Sequence, residues 1–101
     1  MIRQHQFDKL EMETFCLPED GQEEQHLLVA VQEYLMQQLE IPYHTIICCT
    51  GDMGDCDYRH VDVEAWIPSQ DKYRETHSSD YMTDYQSRRM NIRYKTAEGQ
   101  K

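Results

Sequence analysis

The spacing of apolar and polar residues along this chain predicts strands on either side of one long helix. Residues 2–15 alternate between two faces, which is typical of an extended strand, and Phe7 lies among charges on one of them. A ligand-facing surface explains that mixture better than a solvated one. From about residue 22 to 39, apolar residues recur every three or four positions, which predicts an amphipathic helix that packs into the core. These residues are Leu27, Leu28, Val31, Tyr34, Leu35 and Leu39.

Residues flanking this helix supply start and stop signals. Asp20 and Glu23 have the spacing of a capping box, and Pro42 ends the helical pattern. Residues 43–50 then favour a buried strand and residues 51–57 a turn. Residues 59–67 alternate cleanly, with Val61, Val63, Ala65 and Ile67 on one side and His60, Asp62, Glu64 and Trp66 on the other.

The last third of the chain is predicted to be less regular. We expect a loop from residue 68 that carries residues 73–78, a short helix over 81–87 and a final strand over 88–95. Strands and helices in this order, joined by short connections, indicate an α+β domain with a largely antiparallel sheet and flanking helices. That domain covers residues 1–95, and residues 96–101 form a polar tail.

Composition narrows the class of protein. The chain has 101 residues, 39% of them hydrophobic, which suffices for one domain with a core. It lacks an apolar run of transmembrane length, and its first ten residues do not resemble a signal peptide, so we expect a soluble cytoplasmic protein. The net charge of −9 argues against this piece being the main contact with nucleic acid.

The cysteines and one aspartate cluster suggest metal sites only weakly. The four cysteines lack a Cys-x-x-Cys pair, so free thiols in a reducing compartment are expected. A zinc site is an alternative, although the zinc-knuckle spacing is absent; its ligands would be Cys48, Cys49, Cys56 and His60. The aspartates around Gly54 do not have the spacing of a calcium loop and are predicted to form a polar turn. They are Asp52, Asp55 and Asp57.

Two segments far apart in the chain mix aromatic, acidic and basic residues at fixed offsets. One runs from Arg3 to Glu11; the other runs from Lys72 to Ser78 and continues through residues 86–93. Together they resemble the catalytic domain of bacterial-type seryl-tRNA synthetase, a class II aminoacyl-tRNA synthetase. The first is similar to the second half of the family's second signature motif. The other is similar to its ATP-contacting Glu-x-x-Ser element. The resemblance also implies an antiparallel sheet flanked by helices.

The resemblance implies roles for residues of the first segment. Phe7 would stack on the adenine ring of ATP, the backbone near Gln4 would contact the same base, and Glu11 would accept the amino group of serine. The residue types suit these roles, because an aromatic face fits a nucleobase and a carboxylate pairs with an ammonium.

In the second segment, the resemblance implies contacts with ATP phosphates. Glu75 and Ser78 would hold them through Mg²⁺, and Thr76 and His77 belong to the same ATP-binding element. Oxygen ligands fit this hard cation. Asp62 and Glu64 could support the cluster. No residue is assigned a catalytic role.

Other parts of the family pattern are absent from this sequence. They are the first motif, the second motif's α-phosphate arginine, the third motif with its γ-phosphate arginine, and the tRNA-binding arm. We therefore expect an excised or separately expressed piece of a serine–tRNA ligase catalytic domain. This piece would bind ATP and serine weakly and would have little or no activity alone. Contact with tRNA is expected only in the intact enzyme. The alternative is a non-catalytic module that folds or self-associates and binds nucleotides weakly at most. Either would be a homodimer or larger, since cut sheet edges recruit other chains.

Overall fold

A three-stranded antiparallel sheet with one long helix on one face forms the centre of the molecule. The computed structural model describes residues 3–54 and 57–96. The helices and strands, in chain order, are α1 (Gly21–Gln38), β1 (Tyr43–Ile47), β2 (Arg59–Ile67), β3 (Lys72–Tyr81) and α2 (Tyr85–Met90), with 3-10 turns at Pro18–Asp20 and Thr50–Asp52. The strands lie in the order β1-β2-β3, and both pairs are antiparallel. The predicted α+β class is confirmed. In the described part of the chain, no helix is both long and apolar enough to cross a membrane.

The core lies between α1 and the sheet. Val63 in the central strand is fully buried, and Met36 of α1 and Ala65 of β2 are almost as inaccessible. Tyr43 packs against this cluster from β1. The predicted alternation of β2 is therefore confirmed, because its small apolar side chains point towards the helix.

Two buried glutamines fix the position of α1 on the sheet. Gln25 Nε2 donates hydrogen bonds to the carbonyl oxygens of Arg59 (3.1 Å) and Ser79 (2.9 Å). Gln32 Nε2 donates to the carbonyl oxygen of Ser78 (3.1 Å). Since Gln25, Gln32 and Met36 are spaced seven and four residues apart, they share one side of the helix, and this is the side that the fold buries.

The prediction that the leucine stripe of α1 packs into the core is wrong for most of its members. Directional hydrogen bonds from the two glutamines set the rotation of the helix, and apolar periodicity does not register such bonds. The stripe residues exposed by that rotation are Leu27, Tyr34, Leu35 and Leu39. The capping box is also not formed: Asp20 is the N-cap, but it has helical rather than extended dihedral angles and its side chain makes no capping hydrogen bond.

The predicted strands at the two ends are not formed in the described residues. Residues 3–17 and 91–96 have no regular structure, and β1 stops at Ile47 rather than at residue 50. A strand requires a neighbour for its backbone groups, and alternation in sequence does not supply one. The beginning of the first predicted strand, at residue 2, and residues 97–101 of the predicted tail lie outside the described residues.

The chain after residue 67 also differs from the prediction. Residues 73–78, predicted to be loop, belong to β3, which is the longest strand. Tyr81 still belongs to this strand, so α2 begins at Tyr85 rather than at 81 and occupies part of the predicted final strand. Asn91, in the left-handed conformation (φ 56°), ends α2.

Candidate functional site

The face of the sheet opposite α1 carries most of the ionisable side chains of the three strands. Residues that pair directly across antiparallel strands point to the same side, so the pairs His60–Asp80, Asp62–Ser78, Glu64–Glu75 and Trp66–Tyr73 all lie on one face of β2 and β3. We call this surface the polar face. Val61, Val63 and Ala65 alternate with these residues and point to the helix. The polar face therefore combines four carboxylates, a hydroxyl, an imidazole and two aromatic rings.

A β-bulge in β3 places Glu75 and Ser78 on this face together. Residues three apart on a regular strand point to opposite sides. Here the register shifts between Val63 and Glu64, and Thr76 is the extra residue of β3 that has no partner on β2. The two ligand candidates of the Glu-x-x-Ser element thus share one face because of the bulge.

The other two residues of this element point elsewhere. The hydroxyl of Thr76 donates to the carbonyl oxygen of Val63 (3.2 Å) and lies 2.9 Å from His77 Nδ1. His77 pairs with Val63, so its side chain lies on the helix side of the sheet. The His77 side chain is therefore not available to a ligand on the polar face, and the Thr76 hydroxyl is already hydrogen-bonded to Val63.

His60 is at the centre of a cluster of acidic side chains at one end of the polar face. Its Nε2 atom lies 2.7 Å from Asp62 Oδ1. Its Nδ1 atom lies 3.2 Å from Asp57 Oδ2 and also contacts a carboxylate oxygen of Asp80. On the other side of Asp62, the Cys48 thiol donates to Oδ2 at 3.1 Å. The cluster thus joins residues from β2, from β3 and from the connection between β1 and β2.

The charges in this cluster change the affinity of its members for protons. Burial alone lowers the pKa of His60, but the hydrogen bond to Asp62 and the charges of Asp80 and Asp62 outweigh it, so the pKa is raised. Burial and the charge of Asp57 raise the pKa of Asp80, in spite of the neighbouring imidazole. Loss of solvent and the charge of Asp62 raise the pKa of Glu75 as well. The polar face therefore has an excess of negative charge that favours a bound cation.

The opposite end of the polar face is aromatic. The ring of His44, from β1, stacks on Tyr73 with centroids 3.9 Å apart, and Trp66 meets the edge of Tyr73 at 5.2 Å. His44 Nε2 also lies 2.6 Å from Glu64 Oε1. Sequence reasoning missed His44, Cys48 and Asp80 as members of this face, because their assignment depends on which strands are neighbours.

The predicted residues of the first segment lie outside the sheet. Gln4, Phe7 and Glu11 are exposed in the irregular chain that precedes α1, with 69% of Phe7 accessible. Glu11 Oε1 forms an ion pair with Lys9 Nζ at 2.7 Å. The hydrogen bond and charge of Glu11 raise the pKa of Lys9, and the charge of Asp80 adds a smaller contribution. The structure thus brings Glu75 and Ser78 together on the polar face, and the charge of Asp80 on that face acts weakly on Lys9 of the first segment.

The metal sites considered from sequence are brought together in part. Cys48 and His60, from the zinc alternative, share Asp62 as a neighbour, whereas Cys49 is exposed and Cys56 lies outside the described residues. Of the aspartates near Gly54, Asp57 faces His60 and also accepts from the Gly54 amide (3.3 Å), and Asp55 lies outside the described residues. An open cleft of about 300 Å³ lies on the helix side of the sheet and is lined by Val29, Ile47 and Val61, among others. None of its lining residues belongs to the cluster around His60.

Comparison with known proteins agrees with this fold. The model of the class II tRNA synthetase core domain (G, H, P, S and T) matches residues 1–101, and the chain belongs to this family. Its relatives are serine–tRNA ligases: that of Azorhizobium caulinodans is 46% identical over 98% of this chain and 22% of its own length. The serine–tRNA ligase of Pseudomonas savastanoi pv. phaseolicola is 49% identical over 97% of this chain and 23% of its own length.

A solved structure gives the same result. The seryl-tRNA synthetase of Pyrococcus horikoshii, complexed with ATP, superposes with a TM-score of 0.78 at 42% identity, over 80% of this chain and 18% of that one. The chain spans less than a quarter of the length of each of these three relatives. The resemblance noted in the sequence is confirmed, and this chain corresponds to part of a serine–tRNA ligase catalytic domain.

Proposed function

We propose that this chain carries part of the ATP and serine site of a serine–tRNA ligase, on the polar face and the segment before α1. The ligase reaction activates serine with ATP and transfers it to tRNA. The observation that carries the proposal is the bulge at Thr76, which turns Glu75 and Ser78 to the same side of β3. A regular strand would separate them.

The donor atoms of this face suit Mg²⁺. Glu75 and Ser78 would hold the cation through oxygen atoms, as a hard cation prefers. Asp62 and Glu64 lie beside them in register. Burial, and after it the charge of Asp62, raises the pKa of Glu75; a cation would offset the charge contribution. A bound Mg²⁺ supplies charge neutralisation to phosphate oxygens. Thr76 and His77 would contact ATP through their backbone groups, since the Thr76 hydroxyl is hydrogen-bonded to Val63 and the His77 side chain lies on the helix side.

The first segment would bind the adenine ring and the amino group of serine. The exposed ring of Phe7 is available for stacking on a base, with Gln4 nearby in the chain. Glu11 already pairs with an ammonium, that of Lys9, and serine would have to replace it.

Phe7 offers a direct test of the adenine assignment. We expect ATP with Mg²⁺ to bind no tighter than about 1 mM, or about −4 kcal/mol, in calorimetry and NMR titrations. Phe7→Ala should weaken this binding measurably. Phe15→Ala is the matched control, because Phe15 is equally exposed (79%) in the same irregular segment. Equal losses in the two variants would remove the assignment of Phe7.

Glu75 offers a test of the metal assignment. The gain in ATP affinity on replacing EDTA with Mg²⁺ should vanish in Glu75→Gln, which keeps the shape of the side chain. Glu23→Gln, on the exposed side of α1, should keep the full gain. If Glu75→Gln also keeps it, the phosphates are held elsewhere.

A second candidate is a self-associating module, and the open edge of the sheet favours it. Within the described residues β1 pairs only with β2, so its other edge presents free backbone groups, and Ile46 and Ile47 are exposed beside it. Such edges pair with other chains unless charge or cover prevents it. A homodimer formed through β1 is compatible with nucleotide binding on the polar face.

A further inference from the structure

The cluster around His60 combines a thiol, an imidazole and a carboxylate within reach of one another. Cys48 Sγ, a ring nitrogen of His60 and an oxygen of Asp62 all lie within 4.8 Å of one another. Tetrahedral zinc holds sulfur at about 2.3 Å and nitrogen or oxygen at about 2.0–2.2 Å. Ligand atoms around such an ion are less than 4.8 Å apart, so small side-chain adjustments suffice. We propose that Cys48, His60 and Asp62 form a binding site for Zn²⁺, with an open fourth position.

The surroundings of the imidazole support its role as a ligand. Metal-binding histidines usually donate their second ring N–H to a carboxylate, which fixes the tautomer and the ring orientation. The Nδ1 atom of His60 faces both Asp57 and Asp80, whose carboxylates can accept its N–H, and Nε2 is directed towards Asp62. Asp57 and Asp80 are thus positioning residues for the proposed ligand.

The two contacts of Asp62 indicate where the proposed ion would lie. Asp62 accepts from Cys48 through Oδ2 and contacts His60 through Oδ1. A zinc ion would take the place of the protons that these hydrogen bonds share, at Sγ and at Nε2. Binding therefore needs no new approach of chain segments, because the backbone bond from Cys48 N to the His60 carbonyl oxygen (2.9 Å) already holds the two residues side by side.

The ligand types distinguish this site from the proposed phosphate site. Thiolate and imidazole select zinc or similar transition ions, whereas the all-oxygen surroundings of Glu75 and Ser78 suit Mg²⁺. Asp62 faces Ser78 across the strands, so the two sites are neighbours on the polar face. An ion at His60 would add positive charge where Asp62, Glu75 and Asp80 repel one another.

Cobalt substitution tests the site without ATP. The reduced 101-residue chain is titrated with Co²⁺, which has the same ligand preferences and gives a thiolate-to-cobalt absorption band, and Zn²⁺ is then added as a competitor. We expect the band to appear in the native chain, to disappear on adding Zn²⁺ and to persist in excess Mg²⁺. A native chain without the band, or a band that Mg²⁺ removes, overturns the proposal.

Variants assign the ligands. Cys48→Ser should abolish the thiolate band, and His60→Gln should weaken Zn²⁺ binding at least about tenfold. Cys16→Ser and Cys49→Ser are matched controls that should retain both the band and the affinity, since these cysteines are exposed and lie outside the cluster. Circular dichroism of each variant excludes unfolding; if His60→Gln unfolds, His60→Asn replaces it. A band that survives in folded Cys48→Ser, or unchanged Zn²⁺ affinity in a folded His60 variant, refutes the site.

Discussion

The attachment of α1 to the sheet by buried amides leads to a strong prediction for Gln25→Ala. Only 3% of Gln25 is exposed, and its Nε2 donates to two strand carbonyls, those of Arg59 and Ser79. Truncation of Gln25 to alanine leaves both carbonyl oxygens without this donor. A buried polar group left without its partner costs about 1–3 kcal/mol, and the better helix propensity of alanine returns at most about 0.7 kcal/mol.

Two such groups cost about 2–6 kcal/mol together, so the net loss in the free energy of unfolding should be about 1–5 kcal/mol. This is a large share of the roughly 5–15 kcal/mol typical of a domain. With a urea slope of about 1.5 kcal/mol/M, the unfolding midpoint should fall by about 1–3 M. Far-UV circular dichroism, together with the fluorescence of Trp66, the chain's single tryptophan, follows the transition.

Two further variants separate hydrogen bonding from packing. Gln22→Ala lies on the exposed side of the same helix and should change stability by less than about 0.5 kcal/mol. Gln25→Leu fills the space but leaves both carbonyls without the amide, so it should destabilise nearly as much as Gln25→Ala. A Gln25→Leu variant as stable as the native chain would refute the reasoning, because it would show that α1 is held by apolar contact alone.

Two other predictions concern pH and association. Because the pKa values of His60, Asp80 and Glu75 are raised, the folded chain binds protons more tightly than the unfolded chain, and the stabilisation is present at low pH and lost as pH rises. The free energy of unfolding, measured in EDTA, should therefore fall as the pH rises from about 6 to about 8, around the ordinary histidine pKa. His60→Gln should make this free energy less dependent on pH. A free energy of unfolding that rises over this range in the native chain would contradict the raised pKa of His60. Light scattering should show dimers or larger species that form through β1, and Ile47→Lys should favour the monomer. The control variant Ile92→Lys, in the exposed irregular segment, should not favour the monomer. Equal effects of the two variants would exclude pairing at the β1 edge.

The sequence predicted the elements whose pattern is local. The alternation of β2 and the length of α1 follow directly from residue spacing, and both are confirmed. The bulge at Thr76 was not predictable in this way. Before the bulge, the residues of β3 on the polar face have odd numbers, such as Glu75; after it they have even numbers, such as Ser78 and Asp80. The alternation of side chains between the two faces is therefore interrupted, and the sequence pattern predicts a loop instead of a strand.

Contacts between distant residues also escaped prediction. The exposure of Leu35 and the burial of Gln32 depend on which carbonyls the helix meets, and the sequence spacing of α1 favours the opposite assignment. The cluster around His60 needs β1, β2 and β3 to be neighbours in a known register. The sequence shows which residues around His60 have ionisable side chains, but it does not show that they are neighbours. Their proximity follows from the pairing of the strands.

Ser78 connects the polar face to α1, and this limits how small an experimental mimic of the polar face can be. Its side chain belongs to the polar face, while its carbonyl oxygen accepts a hydrogen bond from Gln32, 46 residues earlier in the chain. A synthetic β2–β3 hairpin would contain Glu75, Ser78 and the bulge but would lack that amide. Ligand binding by such a peptide would then report on a hairpin free to twist rather than on the site, so peptide studies should include α1.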